Sequence, residues 1–299
     1  MAGARPVIFG NSTGFKSMSI TKIKLLDKSL KKGKVVGFAQ LRNELSKGHL
    51  KNWFRSMGFC DFIYIFDQAS DDGSLKEYAK HKNTVVIKSR TNRFKKEISC
   101  KSELLKKILR EQPDTDWIFW MDGDTVLDNR LISNNFAGVK QLIVDANARG
   151  CGSISLGHYN LWRSNHHYRM DNAYHAMDGY GVVAFWKNNG SLAFPEGEGL
   201  HSLQFPDNMG EPEHASFKLV HYGFATDKNI IDKYNVYRSF GQSGESLERL
   251  LSEEGLHVIE ADPAILPSFI DTSKCVHPRD QRPIREIYEE KIQKGLDDG

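Results

Sequence analysis

Two carboxylates one residue apart close an apolar run in Trp117-Ile118-Phe119-Trp120-Met121-Asp122-Gly123-Asp124. The run has strand length, and the glycine between the acids lets the backbone turn sharply where it ends. A buried strand would therefore deliver Asp122 and Asp124 to an edge. Carboxylates so placed suit a hard divalent cation, Mg2+ or Mn2+, which takes few protein oxygens and leaves positions for phosphate. A strand followed by a polar Asp-Gly turn is the simpler reading of the same residues. Other segments must decide between the two.

Two of them end strands of their own. Lys34-Val35-Val36-Gly37-Phe38-Ala39 reads as a first strand and leads into Gln40-Leu41-Arg42-Asn43-Glu44. Phe62-Ile63-Tyr64-Ile65-Phe66 reads as a second and ends in Asp67-Gln68-Ala69-Ser70-Asp71-Asp72-Gly73-Ser74, a loop rich in hydrogen-bonding side chains. Between them Leu50, Trp53, Phe54 and Met57 have the spacing of one helix face, which stops at Gly58. A short helix near 75–80, a strand at 85–88, a helix around 99–110 and the strand at Trp117 complete an alternating series. That alternation predicts an α/β fold, with a mostly parallel sheet covered by helices on both faces. Ligands of such sheets bind beyond the carboxyl ends of the strands, where Asn43, Asp67, Asp122 and Asp124 all fall.

Further along, a helix is expected over 131–148, with Gly150 and Gly152 ending it, then a strand at 153–159. The stretch 162–180 is dense in Arg163, His166, His167, Tyr168, Arg169, Asp171, His175 and Asp178, a candidate wall for a second substrate. Strands follow at 182–186 and 217–224, the latter carrying His221, with a Gly/Pro-rich loop over 188–212 between them. Helices are expected at 227–238 and, behind Pro283, at 284–296.

At 299 residues the chain can bury a substantial core, and 39% hydrophobic with 26% charged residues is ordinary for a soluble globular protein. Its net charge of +3 is unevenly spread: residues 1–60 hold 12 Lys and Arg against 2 acidic residues, and the remainder is net −7. Such a basic segment is a solvated face or a surface for an anionic partner. No apolar run approaches the roughly 20 residues of a membrane span, and the N-terminus has no signal-peptide core. The expectation is a cytoplasmic chain, peripheral at a membrane surface if its basic segment meets one. Cys60, Cys100, Cys151 and Cys275 have no metal-site spacing and are expected as reduced thiols.

Taken together, Arg42-Asn43-Glu44, the Asp67 to Ser74 loop, Asp122-Gly123-Asp124, Tyr168-Arg169-Met170-Asp171, Leu200-His201, Leu219-Val220-His221-Tyr222-Gly223 and Asp232-Lys233-Tyr234 resemble the GT-A-fold glycosyltransferases of the large family-2 type. The similarity runs from about Lys34 to Arg238. Gln68 and Ala69 depart from that family's Asp-Asp-Gly-Ser loop. The resemblance implies a GT-A-like (Rossmann-like) catalytic domain at 34–240; outside it the residues themselves predict a basic N-terminal arm or peripheral element at 1–33 and an extension at 241–299 packed on the same domain. The resemblance also implies transfer of a sugar from a nucleotide donor to a hydroxyl, usually with inversion, using Mn2+ or Mg2+.

On that resemblance Arg42, Asn43, Glu44, Asp67, Ser70, Asp72 and Asp122 would hold the donor. Asp122, Asp124 and His221 would hold the metal, with Asp67 at the base. Asp171, in the matching Arg-x-Asp segment, is the first choice for the base that deprotonates the acceptor, Asp178 the second, and Glu196 and Asp207 further alternatives. A glycan, lipid-linked glycan or protein is the expected acceptor, and the basic N-terminus adds a nucleic-acid acceptor as a second reading. A sugar-1-phosphate nucleotidyltransferase would want a Gly-rich phosphate loop after the first strand, which is missing here. A catalytically silent sugar-nucleotide or glycan-binding protein of the same fold is the non-enzyme alternative.

Overall fold

The computed structural model describes residues 21–23, 35–171, 182–197, 205–270 and 276–297. Strands are β1 (Thr21–Ile23), β2 (Val35–Leu41), β3 (Phe62–Asp67), β4 (Thr84–Lys88), β5 (Trp117–Trp120), β6 (Thr125–Leu127), β7 (Ser153–Trp162), β8 (His167–Arg169), β9 (Val182–Lys187), β10 (Pro212–Phe224) and β11 (Val258–Glu260). Helices are α1 (Leu50–Ser56), α2 (Ser74–Tyr78), α3 (Glu97–Glu111), α4 (Asn129–Ala148), α5 (Asp227–Ser239), α6 (Glu245–Glu248) and α7 (Ile284–Asp297).

The chain is α/β, with a central, mostly parallel sheet and helices around it. Its order is β1-β4-β3-β2-β5-β9-β7-β10-β6, and the run β4-β3-β2-β5 is parallel throughout. Beyond β5 the pattern changes: β9 is antiparallel to both β5 and β7, β7 and β10 are parallel, and β6 closes the edge antiparallel to β10. At the other edge β1 pairs antiparallel with β4. Of residues 1–33, expected as a basic arm or peripheral element, β1 is the described part, and the rest of that segment lies outside the described residues.

Both faces of the parallel run are buried because its strands are apolar apart from Gln40, Asp67, Thr84 and Lys88, so alternate side chains go to opposite cores. Ile63, Ile65, Trp117 and Phe119 meet Trp53, Phe54 and Met57 of the α1 region and Val139 and Leu142 of α4. Phe62, Tyr64, Phe66, Ile118 and Trp120 meet Ile98, Leu104, Leu105 and Ile108 of α3. Each such side chain contributes about 1.5–3 kcal/mol of burial. A third core joins Trp162 and Phe224 to Ile230, Ile231 and Tyr234 of α5, and takes in Leu247, Leu250, Leu251, Ile284 and Tyr288 from the last sixty residues.

Two departures from expectation concern the segment after Asp124. Thr125–Leu127, to which the sequence assigns no element, is a strand. The helix expected over 131–148 is interrupted at Ser133–Phe136, where Asn134, Asn135 and Phe136 take left-handed backbone angles. Phe136 packs there against Phe59, 5.7 Å between ring centres. Cys60, Cys100 and Cys151 are free thiols, and Cys275 lies outside the described residues. Among the described residues no helix is long and apolar enough to cross a membrane.

Candidate functional site

The parallel run brings the carboxyl ends of β2, β3 and β5 to one rim. There the loops after β2 and β3 are sewn together. The Asn43 backbone N–H donates to Ser70 Oγ (3.0 Å), its Nδ2 to Asp71 Oδ1 (2.9 Å), and the Asp71 N–H returns a bond to Asn43 Oδ1 (3.0 Å). The Ser46 N–H donates to Asp72 Oδ2 (2.8 Å) and the Leu45 N–H to Ser74 Oγ (3.1 Å). Asn43 takes a left-handed φ of 55°, a conformation asparagine tolerates better than most residues, and its side chain is held there by the two bonds to Asp71. Asp67 is fully buried and accepts from the Ser70 N–H (2.9 Å) and Tyr78 Oη (3.4 Å), and burial raises its carboxyl above the usual range. Arg42 is exposed. Arg42, Asn43, Glu44, Asp67, Ser70 and Asp72 therefore share the rim, with Asp67 turned inward rather than open to a ligand.

Glu44 links this rim to the acidic pair. A β-carbon at Gly123 would stand 2.7 Å from Glu44 Cγ and Cδ and 2.8 Å from Leu41 Cδ2, so the close approach requires glycine. Glu44 is itself buried. It accepts from Lys47 Nζ (2.7 Å), and its other oxygen faces His49 Nδ1 at 3.6 Å.

Asp124 is positioned by the strand that sequence reasoning missed. β6 pairs with β10 in the register Thr125↔His221 and Val126↔Val220, and the Tyr222 N–H donates to the Asp124 carbonyl (2.7 Å). That register sets Asp124 Oδ2 3.2 Å from His221 Nε2. Helix α5, capped by the Thr226 hydroxyl accepting from the Asn229 N–H, returns across the same edge and brings Lys233 in. Lys233 Nζ lies 2.8 Å from Asp124 Oδ2, 3.0 Å from His221 Nε2 and 4.6 Å from the centre of the Phe224 ring. Gly223 forms the floor: a β-carbon there would stand 2.1 Å from Lys233 Nζ, 2.4 Å from His221 Nε2 and 2.6 Å from Asp124 Oδ2.

The partners assign the tautomer of His221. Lys233 has only donors, so Nε2 accepts from it, and Nδ1 carries the proton that bonds Asn160 Oδ1 at 2.9 Å. Burial and the Lys233 charge both depress His221, against the pull of Asp124. Burial alone would raise the Asp124 carboxyl, but Lys233 and His221 hold it well below the usual carboxylate range. Burial would lower Lys233, yet Asp124 more than offsets it and the ammonium is held above its ordinary range. His158, 5.1 Å from the His221 ring, is pushed down to about 3, by burial first and then by His221. Asp122 keeps an exposed surface in a part of the molecule dense with protein atoms. Desolvation, then the neighbouring Asp124 charge, push its carboxyl up to about 7, while Lys101 opposes the rise.

These residues test the expected metal centre. Two ligands at right angles on an octahedral ion with bonds of about 2.1 Å stand about 3.0 Å apart, close to the 3.2 Å between Asp124 Oδ2 and His221 Nε2. The position facing both atoms is held by Lys233 Nζ, however. Among the described residues no cluster of three or more His, Cys, Asp or Glu side chains is arranged to hold a metal ion. As it stands, the expected set does not fit Mn2+ or Mg2+.

Beside Asp124 opens a cavity of about 300 Å³ lined by Lys47, His49, Asn52, Gly123, Asp124, Thr125, Val126, Asn165, Tyr222, Ala225, Thr226 and Asn229. The His49 and Tyr222 rings stack at 6.0 Å, and buried Tyr222 Oη and His49 Nδ1 have no hydrogen-bond partner among the described residues. Asp171, the first-choice base, is not among the lining residues: its Oδ2 accepts from Arg169 Nε at 2.5 Å. Asp178, with His175 and His201, lies outside the described residues. Glu196 and Asp207 are also absent from the cavity lining.

No family model and no curated protein sequence matches the chain. Among solved structures it is similar to a 4-diphosphocytidyl-2C-methyl-D-erythritol synthase, with 12% identity, 86% of this chain and 98% of that chain covered, and a TM-score of 0.33. Similarity at that level does not carry the neighbour's activity to this chain.

Proposed function

We propose that the protein is a glycosyltransferase that moves a sugar from a nucleotide-diphosphate sugar to an acceptor hydroxyl with inversion, the acceptor being a glycan or glycoconjugate. The observation that carries this reading is the junction of two unlike sites at Gly123-Asp124. On one side lies a polar rim at the carboxyl ends of parallel strands, the usual place for a nucleotide. On the other lies a cavity whose lining includes Asn52, Asn165, Asn229, Thr226 and Tyr222. Such groups suit a polyhydroxylated acceptor. Between them stands the charged corner of Asp124, His221 and Lys233, where a leaving diphosphate would gather negative charge.

In the proposed reaction the acceptor oxygen attacks the anomeric carbon, and the bond from that carbon to the diphosphate oxygen breaks with its electron pair on the diphosphate. The acceptor's proton goes to a base within reach of the cavity. His49 lines that cavity with Glu44 behind it, and it takes this role in place of Asp171, which is occupied by Arg169. The reading of DNA as acceptor rests on the basic N-terminal segment, largely outside the described residues. It requires DNA binding that weakens steeply with salt.

The test is nucleotide release from UDP-, GDP-, dTDP- and CMP-sugars with a panel of glycan acceptors, comparing the intact chain with Asp124→Asn. Release from one donor, lowered at least 100-fold in the variant, is the expected result. Silence from every donor together with no nucleotide binding in calorimetry would refute the proposal.

A further inference from the structure

Resting on the reading above, we infer that Lys233 is the resident cation of this site: its ammonium, rather than a divalent metal ion, holds the diphosphate of the donor and meets the charge that builds as the sugar leaves. The geometry is that of a metal pair already filled. Asp124 Oδ2 and His221 Nε2 present lone pairs 3.2 Å apart, and Lys233 Nζ faces both at 2.8 and 3.0 Å. Nothing about this placement is accidental to a free surface lysine. Three supports converge on it: Asn160 fixes the His221 ring from behind, the Phe224 ring lies 4.6 Å from Nζ, and Gly223 leaves the floor empty so that the three polar ends can meet.

An ammonium has three N–H donors. Asp124 and His221 take two, which leaves the third for a phosphate oxygen, and the Lys233 side chain keeps 23% of its surface open for one to approach. Lysine is a compact point charge well suited to phosphate. For a divalent ion to enter between Asp124 and His221 the ammonium must first leave, since two cations cannot share that space. Asp124 then has a role unlike that of a metal ligand: it fixes the cation and keeps it charged. The carbon–oxygen bond still breaks towards the diphosphate, whose new negative charge falls on oxygens facing Nζ, and the acceptor's proton still leaves to the base.

The test is calorimetry of the full chain with inorganic pyrophosphate, UDP, GDP, dTDP and CDP, in chelator and again in Mn2+, for wild type, Lys233→Met and Lys233→Arg, with Mn2+ uptake read by electron paramagnetic resonance. The proposal expects at least one diphosphate to bind in chelator within about twofold of its affinity in Mn2+. It expects Lys233→Met to weaken that binding at least 30-fold, Lys233→Arg to keep most of it, and wild type to take up no Mn2+. Should Lys233→Met fail to fold by circular dichroism, the chelator comparison and Lys233→Arg decide alone. Binding that collapses more than tenfold in chelator and returns with Mn2+ would overturn the proposal while leaving the glycosyltransferase reading in place. Wild-type affinity in a folded Lys233→Met would do the same. No binding of any diphosphate in either buffer would overturn both.

Discussion

The rim formed by Asn43, Ser70, Asp71 and Asp72 and the corner formed by Asp124, His221 and Lys233 lie on the same sheet edge, yet they are built on opposite principles. On the rim each polar group bonds another loop residue, so its hydrogen bonds define a shape and leave little charge unmatched. At the corner charges are packed against one another, Asp122 and Asp124 are driven apart in proton affinity, and Tyr222 Oη and His49 Nδ1 make no hydrogen bond among the described residues. Buried polar atoms without partners are costly and are retained where a ligand completes them. On the proposed function, the rim positions the donor and the corner meets the reaction's charge.

If that contrast holds, the largest effects must come from the corner with the fold intact. Lys233→Met is expected to lower turnover by about 10³-fold, the range for removing a positioned donor or cation from a transition state. Its melting temperature should stay within a few degrees, and steady-state kinetics with differential scanning calorimetry would show both. Asp124→Asn should fall about 100-fold, because the ammonium loses its anchor but remains present. His49→Gln should lower kcat at least tenfold with donor affinity unchanged, and Asp171→Asn should change kcat less than threefold. The reverse order would return the base to the Arg169–Asp171 pair.

Rim substitutions should behave differently. Ser70→Ala removes the acceptor for the Asn43 N–H at one loop junction and is expected to cost about 1 kcal/mol of stability. Its KM for the donor should rise a few-fold with kcat nearly constant, measurable by denaturant titration alongside kinetics. Smaller still is the effect of His81, which stacks on Phe54 at 3.5 Å just beyond α2. Burial lowers its affinity for a proton below that of the unfolded chain. The folded state therefore binds fewer protons, so this contribution is present above about pH 6.5 and is lost as pH falls from there through the folded value. His81→Gln should flatten that limb of the stability curve between pH 7 and 5. The rim and corner differ from the C-terminal anchor, where Arg163 is buried and bonds Asp227 (2.6 Å), Glu253 (2.7 Å) and the Arg282 carbonyl (2.6 Å).

The parallel half of the fold was readable because its strands are uninterrupted apolar runs and its helices carry a clean 3.6-residue period. Asp122, Asp124 and His221 were readable as strand-end groups for the same reason. Their partner was not. Lys233 falls between Ile230 and Tyr237 on the buried side of α5, but a lysine there also reads as a stem lying along an apolar face with its charge in water. Only the pairing of β6 with β10 shows where its ammonium goes, and β6 is three residues long, too short for periodicity to distinguish from a turn. His49 was passed over because it precedes α1 as a lone histidine in a polar loop. The pairing of Asp171 with Arg169 was legible in the sequence as the plainer alternative to a base, two opposite charges lying two residues apart at the end of β8.

The most direct measurement is a crystal structure of the full chain with the nucleoside diphosphate that binds it tightest in chelator. The account expects a phosphate oxygen within hydrogen-bond distance of Lys233 Nζ, the nucleoside lying along the Asn43–Asp72 rim, and the cavity beside Tyr222 left open for the acceptor. A diphosphate bound away from Lys233, or held there by a metal ion with the lysine displaced, would contradict it.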